Sequence, residues 1–264
     1  MLTWDLSRKQ NAIASSTISM PCLGLIGSLR DSLIDLYFTT INAEVQKVRG
    51  GRHSAVMCVK CVDAGQIEAL VLADDWREIK AQLMHAVNSF RREQIGGLVI
   101  CGSELNVVAA DVAQTVRRPI VRIGQAMVGR MRDFPGQRIC LLGIRTKREF
   151  QMWQHELAGY AVLEPEAGDR AWLNERIRDV LDGKPISPLW LIEINRIVSV
   201  QRRKGAEAIV VAAHPLGRLL ETVDSLMPVF DAAETHAWAA GLWSLADDFK
   251  STPPCCVGRT SNTV

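Results

Sequence analysis

Any chemistry in this chain has to come from a few side chains placed where apolar runs end. The stretch Ile95-Gly-Gly-Leu-Val-Ile-Cys-Gly-Ser-Glu-Leu-Asn106 puts a thiol, a hydroxyl, a carboxylate and an amide at one such point. Leu98 to Cys101 reads as a buried strand, Gly102 and Ser103 break it, and Leu105, Val108, Val112 and Val116 then recur at helical spacing. A strand that passes through small residues into a helix can hold an anion, because loop and first-turn N–H groups point outward. Glu104 works against that use, since its own carboxylate sits in the field an anionic ligand would need. His214 follows a second apolar run, Glu207 to Val211, and an imidazole at a strand end can serve as base or hydrogen-bond donor. Cys58-Val-Lys-Cys61 has the spacing of half a zinc site, but no second pair follows and no metal is assigned. Cys255-Cys256 reads as a reactive vicinal pair rather than a site.

Composition narrows the classes. A length of 264 residues allows one large or two small domains, and 48% hydrophobic with 23% charged residues is ordinary for a soluble chain. A net charge of +2 is too mild to point to nucleic acid. The short clusters Arg117-Arg118 and Arg202-Arg203-Lys204 both follow helical segments, where a helix C-terminus favours cations. Apolar runs fall short of the roughly 20 residues that a membrane span requires. Met1 to Met20 lacks the apolar core of a signal peptide and reads as a polar extension, which makes the cytoplasm the expected location. Seven cysteines, an odd number without an export signal, do not suggest a disulfide framework.

The elements that must position these side chains alternate. Strands are expected at Cys22–Ile26, Ala55–Val62, Leu98–Cys101, Pro119–Ile123, Arg138–Leu142, Tyr160–Leu163, Glu207–Val211 and Met227–Phe230, with helices between them. The first long helix, Ser32 to Val48, carries Leu33, Leu36, Tyr37, Ile41 and Val45 on one face. From Gln137 the pattern starts again: Gly27 and Gly143 end equivalent strands, as do Gly102 and Ala213. The expected fold is therefore α/β, with two pseudo-symmetric parallel-sheet domains related by internal duplication and a cleft between them. The expected division is an extension over 1–21, a first domain over 22–125 plus 232–250, a second over 126–231, and a disordered tail over 251–264.

Several segments carry a family resemblance through their order and spacing. They are Gly50-Gly-Arg-His-Ser-Ala55, Val62-Asp-Ala-Gly-Gln-Ile-Glu-Ala-Leu70 with Asp75-Trp76, Leu141-Leu-Gly-Ile-Arg145, Gly205-Ala-Glu-Ala-Ile-Val-Val211, and Pro228-Val-Phe-Asp231 with His236-Ala237. In these the chain resembles the cofactor-independent aspartate/glutamate racemase superfamily, from Cys22 to about Phe249. That resemblance implies a homodimer, no cofactor, and a two-base inversion in which one side chain removes an α-proton and another returns one from the opposite face. It places the first base at Gly102, the Asn-Thr pair of the family loop at Ser103 and Glu104, and the family histidine at Asn106. It places the second base at Ala213, followed by His214 and Pro215. The family's first loop becomes Gly27-Ser28-Leu29-Arg30-Asp31, and a family threonine becomes Lys147. Glycine and alanine transfer no protons. The related arylmalonate decarboxylases share glycine at the first position but keep the second cysteine, so they are not matched either.

The expected protein is a racemase-fold small-molecule binder or regulator of a partner, without two-base racemase activity. Its ligand would be a small carboxylate or an amino-acid-like molecule. The alternative is a diverged racemase, isomerase or carbon–acid lyase that uses His214 with Cys101, Glu104 or a water. Cys101 takes part only if the loop slips by one residue, because alternation along the strand turns it toward the core. Candidate ligand contacts are Ser28, Arg30, Ser103, Glu104, Asn106, Arg145, Lys147 and His236.

Overall fold

A computed structural model describes residues 20–28, 31–90, 94–220 and 226–245. The expected N-terminal extension up to residue 19 and the tail 251–264 lie outside the described residues, as does Arg30. The first half runs β1 (Cys22–Gly27), α1 (Asp31–Arg49), β2 (Met57–Cys61), α2 (Ala64–Leu72), α3 (Trp76–Ser89), β3 (Ile95–Ile100), α4 (Ser103–Asn106), α5 (Ala109–Thr115), β4 (Ile120–Val121) and α6 (Ile123–Arg130). The second runs β5 (Arg138–Leu142), α7 (Lys147–Glu156), β6 (Ala161–Leu163), α8 (Ala167–Leu181), α9 (Pro188–Arg203), β7 (Ala208–Val211), α10 (His214–Leu220), β8 (Val229–Asp231) and α11 (Ala232–Ser244).

The strands form two four-stranded sheets, ordered β2-β1-β3-β4 and β6-β5-β7-β8, and every pairing in them is parallel. The repeat of the same order in both sheets is the internal duplication read from the sequence. Parallel strands need crossover helices, which cover both faces of each sheet and demand apolar residues on both. In β3, Leu98 and Ile100 pack on one face with Ile79 and Leu83 of α3 and with Phe90 at its C-terminal cap. Val99 and Cys101 pack with Tyr37, Ile41 and Val45 of α1 and Trp243 of α11 on the other. The second sheet divides in the same way, with Cys140, Leu142, Ile209 and Val211 toward α8, α9 and α10. Ile139, Leu141 and Val210 face α6 and α7.

Local chemistry sets the element ends. Asp63, Asp75, Thr146 and Asp231 each accept a hydrogen bond from a first-turn N–H, capping α2, α3, α7 and α11. The cap at Asp231 starts the last helix at Ala232, directly after β8. The continuous helix expected beyond Ser103 is broken in two, where the chain makes i→i+3 bonds from Val107 N to Glu104 O and from Val108 N to Leu105 O, both 3.3 Å. Chain direction then brings the carboxyl ends of β1, β3, β5 and β7 together. In each sheet the order reverses between the first and third strands, and such switch points are where open α/β sheets bind ligands.

Candidate active-site cleft

A cavity of about 90 Å³ lies between the two halves. The strand ends supply Ser28, Gly102, Ser103 and Glu104 from the first sheet, and Arg145, Ala212, Ala213, His214 and Pro215 from the second. Leu33, Ile67, Val71, Ile177 and Leu181 make an apolar wall. Both positions where the resemblance expects a base therefore face this one space, and they present no titratable side chain to it. Gly102 has φ 93° and ψ 143°, a conformation that an L side chain rarely adopts.

His214 is the imidazole of the cleft. Its Nδ1 is buried and makes no hydrogen bond among the described residues. The nearest carboxylate oxygen, Asp231 Oδ2, lies 3.8 Å away, beyond hydrogen-bond reach. Asp231 is itself fixed: Oδ1 accepts the Glu234 N–H at 2.9 Å. Its Oδ2 would lie 2.0 Å from any Cβ at Gly217, so glycine there is what lets the carboxylate approach α10. The histidine thus stands near a carboxylate at the end of β7 without bonding to it, and its Nδ1 is closed off from solvent.

Arg145 also lines the cleft, but it is committed. Its Nη2 donates to Glu68 Oε1 of α2 at 2.7 Å, an ion pair that ties the second half to the first. Its partner is Glu68 rather than Glu104, the other carboxylate of the lining. With Glu68 and Glu104 against Arg145, the described part of the lining carries no surplus of positive charge for a dicarboxylate.

Beneath the cleft lies a buried group that sequence reasoning missed. Ser103 Oγ donates to Glu149 Oε1 at 2.5 Å and accepts from Trp153 Nε1 at 2.9 Å. Glu149 Oε2 accepts the Arg145 N–H at 3.0 Å. Burial pushes the Glu149 carboxyl up to about 7, and the nearby Glu104 charge adds to the rise, while the bonds from Ser103 and Arg145 oppose it. A signal was present in Thr146-x-x-Glu149, a capping-box spacing. The Thr146 side chain does accept from Glu149 N at 3.1 Å, but the carboxylate turns to Ser103 rather than back to the cap.

Other expected site residues belong elsewhere. Cys101 is in the core against α1 and α11, does not line the cavity, and has its thiol held protonated by burial. The strand runs without the one-residue slip that would have exposed it, since Cys101 N still bonds Ile26 O at 2.7 Å. Asn106 spends its amide on the backbone: Nδ2 donates to Ile100 O and Gly102 O at 2.6 and 2.8 Å, and Oδ1 accepts from Ile123 N at 3.3 Å. It braces the turn after β3 and the start of α6 instead of meeting a ligand. His236 is fully buried, with Nε2 2.8 Å from Val121 O and Nδ1 2.8 Å from the Tyr37 hydroxyl. A carbonyl only accepts, so Nε2 carries the hydrogen and Nδ1 accepts from Tyr37. Burial lowers its pKa to about 4, and it is a neutral strut. Lys147 is exposed at the start of α7 and is not part of the cavity wall. Among the described residues no three His, Cys, Asp or Glu side chains are grouped to hold a metal ion, and no helix is long and apolar enough to cross a membrane.

Comparison with known proteins matches this geometry to one family. The sequence profile of the Asp/Glu/Hydantoin racemase family matches residues 35–240. A candidate Asp/Glu racemase from Yersinia pestis is similar at 27% identity and a TM-score of 0.78, over 86% of this chain and 100% of that one. An aspartate racemase homologue from Pyrococcus horikoshii OT3 superposes with a TM-score of 0.71 at 18% identity, over 86% and 100% of the two chains. The aspartate racemase of Picrophilus torridus follows at 0.61 and 11%, over 85% and 94%. The last two likenesses speak to the fold alone.

Proposed function

The chain belongs to the Asp/Glu/Hydantoin racemase family, and from that premise we propose that it binds a small molecule in its cleft without two-base amino-acid racemisation. Through that ligand it would serve as a binder or as a regulator of a partner protein. One observation supports the reading: Gly102 and Ala213, where the family resemblance places the two bases, both stand on the cavity wall. Each general acid or base contributes roughly 10²–10⁴-fold to proton transfer, so the absence of both leaves little of the family route. The ligand is a small carboxylate or amino-acid-like molecule, small enough for about 90 Å³ with an apolar flank along Ile67, Val71 and Ile177. The same reading takes the chain to be a cytoplasmic homodimer. Phe38 on α1 and Leu242 on α11 are exposed apolar side chains available for such a contact.

The test is solvent exchange in D₂O. Amino acids, including aspartate and glutamate, are incubated with the protein and the α-proton signal is followed by NMR, beside a thermal-shift panel of the same compounds. Stabilisation by a compound whose α-proton stays in place is the expected result. Enzyme-dependent loss of the α-proton would overturn it.

A second reading rests on His214. Its buried Nδ1 and the Asp231 carboxylate 3.8 Å away favour a one-base enzyme, an isomerase or carbon–acid lyase working from a single face of the substrate. That reading requires exchange or product formation that is lost in His214→Asn. Cys101 takes no part in it, being in the core.

A further inference from the structure

The half-zinc spacing of Cys58-Val-Lys-Cys61 is not how these thiols are arranged. Cys58 sits beside Cys22, 36 residues earlier in the chain, with the two sulfurs 3.7 Å apart. The cysteines belong to adjacent parallel strands, β1 and β2, and both pack at the edge of the same apolar cluster while staying partly exposed. We propose that Cys22 and Cys58 are a dithiol modification site that closes to an intrachain disulfide under peroxide.

Closure needs the two strands to shift, because the register sets Cys58 opposite Gly24, two residues along from Cys22. A disulfide needs its sulfurs at about 2.05 Å, so they must approach by about 1.7 Å. Two features make the approach cheap. β2 is the outer strand of its sheet, and among the described residues no strand pairs with its other side. Cys22 is the first residue of β1, and the register with β3 shifts between Cys22 and Leu23, so its backbone is not locked into the regular ladder. By contrast, Cys101 and Cys140 are fully buried in the two halves, where an oxidant cannot reach them.

The chemistry balances with hydrogen peroxide as the two-electron oxidant. One thiolate attacks a peroxide oxygen and breaks the O–O bond. That sulfur becomes a sulfenic acid, and one water leaves. The second thiol attacks the sulfenyl sulfur, forms the S–S bond and releases a second water. The two sulfurs lose two electrons, the peroxide gains them, and both thiol hydrogens end in water. The product ties the start of β1 to the outer strand. The strand ends that line the cleft are untouched, so this site is separate from the ligand site.

The experiment oxidises the full-length, reduced protein with hydrogen peroxide, blocks remaining thiols, and maps peptides by mass spectrometry without reduction. Expected is a monomer about 2 Da lighter than the reduced protein before blocking, with a linked peptide pair containing Cys22 and Cys58, reversed by dithiothreitol. The link persists when Cys61→Ser, Cys255→Ser and Cys256→Ser are combined, and disappears in Cys58→Ser. A wild-type map with no Cys22–Cys58 link overturns the proposal, whether the thiols stay reduced, pass singly to sulfinic acid, or pair with Cys61 or between chains. The wild-type map decides the matter even if a variant fails to fold.

Discussion

The Ser103 hydroxyl of the first half donates to the Glu149 carboxylate of the second at 2.5 Å. This bond is the polar seam beneath the cleft. The indole of Trp153 donates to the same hydroxyl, and the Arg145 N–H donates to the other carboxylate oxygen. The strand-end loops of both halves thus meet at one buried acid, alongside the Arg145–Glu68 ion pair. A buried carboxyl that prefers its proton makes that junction sensitive to pH.

Glu149 and His236 pull stability in opposite directions over the same pH window. Burial raises Glu149 from 4.5 to about 7, so its contribution is fully present below 4.5 and is lost as pH rises through 7. Burial lowers His236 from 6.5 to about 4, so its contribution is present above 6.5 and is lost as pH falls through 4. Each should amount to about 3 kcal/mol at full extent, so these two groups should leave the wild-type profile nearly flat between about pH 4.5 and 6.5. Glu149→Gln removes one side of this balance. Urea unfolding of that variant should show stability climbing with pH between about 4 and 6.5, steeper than wild type. A variant profile as flat as the wild type would rule out an elevated Glu149.

The sequence made the sheets and their duplication legible because strand and helix periods are local, and the capping aspartates announce themselves one turn ahead. The site was legible only in part. Ser28, Gly102, Ser103, Glu104, Arg145, Ala213 and His214 were expected at the cleft, and all of them line it. His236 and Asn106 went the other way, because their family positions do not reveal that Tyr37, Val121, Ile100 and Gly102 consume their polar atoms. Glu149 was invisible for a different reason: Thr146-x-x-Glu149 describes a helix start, whereas the burial of Glu149 comes from Ser103, in the other half of the chain.

Placing Thr at position 102 and Cys at position 213, where the resemblance expects the two bases, should not produce racemisation. The Cβ of a residue at position 102 finds space, with only Glu104 Cδ near it at 4.0 Å, but the backbone there stands at φ 93°. Gly102→Thr should cost about 1–3 kcal/mol or displace the loop. Ala213→Cys carries no such backbone penalty. The double variant should show no α-proton exchange, with a melting loss traceable to position 102 alone. Exchange well above background in the double variant would show that only the bases were missing.

Tyr37→Phe isolates the structural role of His236. The substitution keeps the ring and its edge-to-face contact, at 5.7 Å between centroids, but leaves His236 Nδ1 without its donor in a fully buried site. The expected loss is about 1–3 kcal/mol in urea unfolding, with unchanged ligand-induced thermal shifts. A selective loss of ligand binding at unchanged stability would return His236 to the site.

Arg145 and Glu68 offer the sharpest measure of how firmly the cleft is closed. Their side chains are 15% and 28% exposed, so the 2.7 Å pair lies between the weak surface regime and the fully desolvated one. Neither single substitution reads the pair cleanly, because each leaves a half-buried charge behind. A double-mutant cycle with Arg145→Gln and Glu68→Gln cancels those terms. The coupling should be about 1–2 kcal/mol, larger than an exposed pair gives, and should fall only modestly in salt. The cycle also bears on binding: with the bridge gone, a small carboxylate no longer competes with Glu68, but it also loses its guanidinium in Arg145→Gln. Glu68→Gln alone should therefore tighten carboxylate binding, and Arg145→Gln should weaken it, both read by thermal shift. Equal effects of the two would mean that Arg145 serves only as a clasp between the halves.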